Sequence, residues 1–146
     1  MRPSEVRQRI LNDHQLIKIK SSEVRDLALR IQAGEEHLSG RLREQGRELY
    51  ERFCMHIDFL IGALRDADAC GEECAEELGY KHREQQEALT YLLERLLDPT
   101  QPQTLMVADL LNFTAWLRDD MRHEEEMILH GDLLRDDVVG IKVNSG

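Results

Sequence analysis

The chemistry open to this sequence lies in three histidines and two carboxylates. His14, His56, His82, Asp120 and Glu124 all carry metal-ligating side chains, and each interrupts an apolar stripe of helical spacing. Asp120 and Glu124 are one helical turn apart, so both can address one ion or bridge two. Imidazole with carboxylate is a ligand set suited to iron, zinc or manganese. Buried carboxylates are costly unless neutralised, so a metal ion or a metal-free network of His–Asp and His–Glu pairs must accompany them.

Helices must position these groups. No proline lies between Pro3 and Pro99, and Leu, Glu, Arg, Ala and Gln fill the interval. The first predicted helix runs from about Ser4, a plausible N-cap, to Ile31, with the stripe Val6, Ile10, His14, Ile17, Ser21, Val24, Ala28 and Ile31. Ala33-Gly34 stops it. The second runs from about Glu35 to Ala67 with Leu38, Leu42, Leu49, Phe53, His56, Leu60 and Ala63, and a break follows over Asp66 to Gly71. The third, about Glu73 to Leu97, carries Leu78, His82, Gln85, Leu89, Leu92 and Leu96, and Asp98-Pro99-Thr100-Gln101-Pro102 ends it. The fourth, about Thr104 to His130, carries Met106, Leu110, Phe113, Leu117, Asp120, Glu124 and Met127, with Gly131 as its stop. Strand-type alternation is confined to Val138–Val143.

Short connections turn neighbouring helices antiparallel, so the expected fold is all-α, an up-down-up-down four-helix bundle over residues 1–131 with a tail from Asp132 to Gly146. Counting from the helix ends that share one pole places all five groups roughly 10–16 Å from it, at 1.5 Å per residue. The same slice of core is therefore expected to receive three imidazoles and two carboxylates.

In order and spacing these residues resemble the hemerythrin-like (HHE cation-binding) domain, over about Ile10 to Leu129. Asn12-Asp13-His14, His56 and His82 match in sequence order, and Asp120-Met121-Arg122-His123-Glu124-Glu125 is similar to the family's His-Met-x-x-Glu-Glu with aspartate in the histidine position. The resemblance implies a non-haem iron site, with His14, His56 and His82 as neutral ligands and Glu124 and Asp120 as anionic ones. It also implies binding of O₂ or NO, sensing, or iron handling. Two departures bear on the number of ions. Leu60 stands where the family usually has a carboxylate, and Gln86 where oxygen carriers have a second histidine. Gln86 then becomes a weak extra ligand, and one ion, an incomplete pair or a site that has lost its metal is implied.

A metal-free regulatory or interaction bundle is the rival. His56 followed by Gly62 faintly echoes a phosphotransfer domain, but that role needs an exposed histidine and the stripe places His56 inside. The Glu-x-x-His spacing of carboxylate-rich diiron oxidases is missing from helices two and three, and only Asp120-Met121-Arg122-His123 approaches it. No GxSxG, glycine-rich phosphate loop or HExxH occurs, so nothing recommends hydrolase or NTPase chemistry, and an enzyme is the less expected reading.

Composition narrows the class further. The 146 residues carry 19 Lys+Arg against 29 Asp+Glu, a net charge of −10, with no basic cluster free of acids; nucleic acid is not an expected partner. No 18-residue apolar run exists and the start MRPSEVRQR lacks a signal peptide's apolar stretch, so no membrane association and a cytoplasmic location are expected. Three cysteines, Cys54, Cys70 and Cys74, exclude a full disulfide framework and fit a reducing compartment. Cys70 and Cys74 read as ordinary thiols, His37 and His130 as helix-end residues, and His123 as a surface histidine. Acids outnumber arginines eight to three over residues 117–137, a solvated face that could also serve a homodimer or a basic protein partner.

Overall fold

A computed structural model of the chain describes residues 2–67 and 71–129. Four helices make up nearly all of it: α1 (Pro3–Gln32), α2 (Ser39–Ala67), α3 (Gly71–Leu97) and α4 (Gln103–Leu129), with one 3-10 turn over Glu36–Leu38 before α2. No strand occurs among the described residues. His130, the residues from Asp132 to Gly146 with Val138–Val143 among them, and Cys70 lie outside those limits, as does the side chain of Cys74.

Local chemistry accounts for the helix ends. The first helix starts at Pro3 rather than behind a Ser4 cap: the proline sets φ for the first turn, and the Arg2 backbone N–H donates to Glu5 Oε2 at 3.0 Å. At the other end Gly34 takes φ +114°, a left-handed value that a side chain would oppose, and Arg30 closes the corner on Glu35 at 2.7 Å. The 3-10 turn is not foreseen by the sequence pattern, which carries α2 back to Glu35. Ser39 Oγ bonds Glu36 O at 2.8 Å where this turn passes into α2. Between α3 and α4, Asp98 Oδ1 accepts from the Thr100 amide (2.9 Å) and hydroxyl (2.7 Å), an Asx turn that frees Pro102 to precede α4.

Within the pairs α1 with α2 and α3 with α4, contacts match rising numbers with falling ones. On α1 and α2, Asp13 meets His56 at 3.1 Å while Lys20 meets Glu48 at 2.6 Å. On α3 and α4, Lys81 faces Asp120 (3.6 Å), Gln85 meets Asp120 (2.9 Å), and Arg95 meets Asp109 (2.9 Å). Tyr50 reaches Thr90 across α2 and α3 at 3.1 Å, and Lys18 reaches Glu125 across α1 and α4 at 3.5 Å.

The expected stripes supply most of the core, although Ala63 on α2 and Leu92 on α3 are only half-buried. All eight α1 positions from Val6 to Ile31 are buried, as are Leu42, Leu49, Phe53 and Leu60 on α2 and Met106, Leu110, Phe113 and Leu117 on α4. Each large apolar side chain so buried contributes about 1.5–3 kcal/mol. Phe53 packs edge-on against Trp116, ring centroids 5.9 Å apart, and Trp116 stacks on Phe113 at 6.2 Å. No helix among the described residues is long and apolar enough to cross a membrane.

Candidate metal centre

At one level of this core the apolar filling gives way to polar side chains from all four helices. His14 on α1, His56 on α2, His82 on α3 and Asp120 with Glu124 on α4 are each no more than 7 % exposed. All five residues singled out by spacing are therefore inside, and the structure brings them together.

Glu124 is the hub. Its Oε1 lies 2.9 Å from His14 Nε2 and 2.8 Å from His56 Nε2, and its Oε2 lies 3.7 Å from His82 Nε2. Three imidazoles thus turn the same ring nitrogen towards one carboxylate. The rings of His14 and His56 meet edge to face, centroids 4.9 Å apart.

Each ring is held from outside by its other nitrogen. Glu125 Oε1 is 3.1 Å from His14 Nδ1, Asp13 Oδ2 is 3.1 Å from His56 Nδ1, and Gln85 Oε1 is 2.8 Å from His82 Nδ1. Such outer partners fix the orientation and tautomer of metal-ligating histidines. Gln85 also donates from Nε2 to Asp120 Oδ1 at 2.9 Å.

The inner nitrogens and carboxylate oxygens fall into two groups that share Glu124. One is His14, His56 and Glu124; the other is His82, Asp120 and Glu124. In each, the three ligand atoms lie within 4.8 Å of one another, and every residue is buried. The two groups differ in one respect. His14 and His56 are satisfied by Glu124, whereas His82 Nε2 and Asp120 Oδ2 are buried without any hydrogen-bond partner. Orphaned buried atoms of this kind need an explanation, and a cation between them supplies one.

Burial works against both charges of the His56–Glu124 pair, and hydrogen bonding outweighs it. Desolvation opposes the His56 imidazolium, but Asp13 and Glu124 accept from both ring nitrogens and hold its pKa up at about 9. Desolvation likewise opposes the Glu124 carboxylate, yet hydrogen bonds from His14 and His56 and the charge of His56 bring it down to about 2. Asp13 is lowered as well: partial burial works against its charge, and bonds to His56 and Arg9 overcome that. Asp13 and His56 also line a cleft of about 300 Å³ between α1 and α2 that reaches the surface beside Arg9 and Arg52.

Three functional residues are not marked out by the sequence pattern as members of the site. Asp13 and Glu125 stand there only inside the motifs, and Gln85 only as part of a stripe. The expected extra ligand, Gln86, is half-buried, and it is its neighbour Gln85 that bonds His82 and Asp120. A one-residue step turns a helix by about 100°, which places Gln85 against the polar slice and Gln86 beside it. Cys54 itself stands apart from the histidines, and burial pushes its thiol up, away from the thiolate a metal would need. His37 and His123 are exposed. Buried His, Glu and Asp groups are thus positioned so that they could hold a metal ion. No model of a protein family matches this chain, and neither a curated protein nor a solved structure does.

Proposed function

We propose that the chain is a hemerythrin-like, up-down-up-down four-helix bundle that holds non-haem iron, as one ion or two, and uses it for O₂ or NO binding, sensing or iron handling in a reducing cytoplasm. One observation carries this reading: two buried ligand triads share Glu124, and one of them contains His82 Nε2 and Asp120 Oδ2 with no partner. Zinc or manganese would suit the same donors, and the iron assignment rests on the family resemblance.

The residues divide the work. His14, His56 and His82 would present Nε2 as neutral ligands, Asp120 and Glu124 would balance the ion's charge, and Glu124 has one oxygen facing each triad. Iron held there would supply an open coordination position for a diatomic ligand. Asp13, Glu125 and Gln85 hold the rings from outside, and Ile10, Ile17, Phe53, Leu60 and Leu117, all fully buried one turn from these ligands, keep the surroundings dry. The acidic stretch over residues 117–137, where Asp119 and Glu126 are exposed, remains a proposed face for a second copy or a basic protein.

A second reading has its own support. His14 and His56 already satisfy Glu124 by hydrogen bonds, so that half of the cluster can persist as a metal-free network in a regulatory bundle. Phosphotransfer on His56 is disfavoured by its 2 % exposure. Metal analysis and a visible spectrum of protein produced with iron separate the two. Stoichiometric iron in the wild type, lost in His56→Ala with His82→Ala, is expected; metal-free wild type of normal stability defeats the proposal.

A further inference from the structure

A single amide touches both groups that Glu124 leaves without a partner. Gln85, 9 % exposed on α3, has Oε1 2.8 Å from His82 Nδ1 and Nε2 2.9 Å from Asp120 Oδ1. The direction of these bonds follows from what each group can do. The amide donates from Nε2 to Asp120 Oδ1, a carboxylate oxygen that Lys81 Nζ also approaches at 3.6 Å. Gln85 must therefore turn its NH₂ to Asp120, which turns its carbonyl to His82. A carbonyl only accepts, so His82 Nδ1 must carry the proton. The neutral ring then has a bare Nε2, and Asp120, tied through Oδ1, keeps Oδ2 free. Both atoms are buried without a hydrogen-bond partner, and Glu124 Oε2 stands 3.7 Å from the first.

We propose that Gln85 is a positioning residue for the bound metal: by donating to Asp120 and accepting from His82 it fixes one tautomer and one carboxylate orientation, so that His82 Nε2, Asp120 Oδ2 and Glu124 Oε2 turn lone pairs to one ion. This rests on the metal reading above. The residue type follows from the task. A carboxylate at position 85 would face Asp120 acid to acid, and an apolar side chain would bond neither group. An amide alone offers an acceptor and donors on one rigid plane. The Nδ1 atoms of the other two histidines are held by carboxylates instead, Glu125 and Asp13.

The test uses the full chain, free of metal and ¹⁵N-labelled, with long-range ¹H–¹⁵N correlation of the histidine rings. Wild-type His82 is expected in the Nδ1–H form. Gln85→Met, of similar length and without either bond, should shift it towards the Nε2–H form that neutral histidine favours in water. Gln85→Glu retains an acceptor for Nδ1–H and should retain the wild-type tautomer. Zn²⁺ affinity, measured against a competing chelator, should fall about 10–100-fold in Gln85→Met, with helix content by circular dichroism unchanged. A wild-type ring protonated on Nε2 overturns the proposal, as does Gln85→Met binding Zn²⁺ as tightly as wild type. Wild type that takes up no Zn²⁺ overturns the metal reading itself, an outcome distinct from unchanged binding by the variant. Should Gln85→Met not fold, Gln85→Glu decides alone: loss of the Nδ1–H form counts against Gln85, its retention for it.

Discussion

His82 Nε2 stands 3.7 Å from Glu124 Oε2, almost an ångström further than His56 Nε2 stands from the other oxygen of the same carboxylate, at 2.8 Å. One oxygen of Glu124 is engaged by two imidazoles, and the other faces a gap. Asp120 Oδ2 is also buried without a partner in this half of the cluster. A cation held between these atoms should stabilise the fold by mass action. At free Zn²⁺ about a hundredfold above its Kd, the gain is about 2.7 kcal/mol, or roughly 5–10 °C in Tm for a chain of this size. Glu124→Gln removes the anion shared by both triads and should abolish the shift. Thermal melts of both proteins with and without Zn²⁺ decide it, and a wild-type Tm indifferent to Zn²⁺ refutes the assignment.

Without metal, the same cluster makes stability depend on pH in two directions. His56 is raised from 6.5 to about 9 in the folded protein, so its contribution is complete below pH 6.5 and is lost as pH climbs through 9. The folded state holds a proton there that the unfolded state has released. Glu124 is lowered from 4.5 to about 2, so its contribution is complete above pH 4.5 and is lost as pH falls through 2. Stability of the metal-free protein should therefore peak between about pH 4.5 and 6.5. From pH 6.5 to 9 it should fall by about 3 kcal/mol, because each tenfold difference in proton affinity between folded and unfolded chain is worth about 1.4 kcal/mol. Urea unfolding at a series of pH values measures this, and a flat profile between pH 6 and 9 would falsify the His56–Glu124 pairing.

The core beside the cluster permits a prediction of stability alone. Phe53 is fully buried one turn before His56 and lies edge-on to Trp116, the single tryptophan. Phe53→Ala leaves a cavity that the flanking Leu49 and Ile57 cannot close without moving. A loss of about 3–5 kcal/mol is expected, read by denaturant unfolding followed through Trp116 fluorescence. A loss under about 1 kcal/mol would show that this level of the bundle collapses freely.

The helical stripes were legible because burial repeats every three to four residues, and every stripe position described on α1 and α4 is buried. The shared level of His14, His56, His82, Asp120 and Glu124 was legible too, because distance along a helix is fixed by residue count. The partners behind the ligands were not. Asp13 and Glu125 are sequence neighbours of His14 and Glu124 and sit at the edge of the stripe, where pattern cannot tell a solvated acid from one that reaches the next helix. Asp13, for instance, bonds His56 on α2 rather than its neighbour His14. Gln85 lies in the α3 stripe while the resemblance points to Gln86, and only the packing of α3 on α4 shows that Gln85 bonds Asp120. The start at Pro3 was hidden because serine is a common cap, and the fixed φ of proline proved the stronger constraint.

Asp13 joins the cluster to the cleft between α1 and α2, and its loss should alter metal binding in two separable ways. As a ligand His56 must shed a proton, so affinity should rise with pH and level off near 9, where the ring of the metal-free protein releases it. Asp13→Ala removes one of the two carboxylates that hold this proton, so the levelling should move to lower pH. The same substitution frees the ring from the bond at 3.1 Å that orients it. Above pH 9 the His56 proton no longer competes in either protein, and there the variant should bind Zn²⁺ about 10–100-fold more weakly, the usual cost of losing an outer partner. Near pH 7 the two effects oppose each other and the difference should narrow. Zn²⁺ affinity of both proteins against a competing chelator from about pH 6 to 9.5 tests this. Parallel curves with a common break would mean that Asp13 orients the ring without governing its proton, and coincident curves that it does neither.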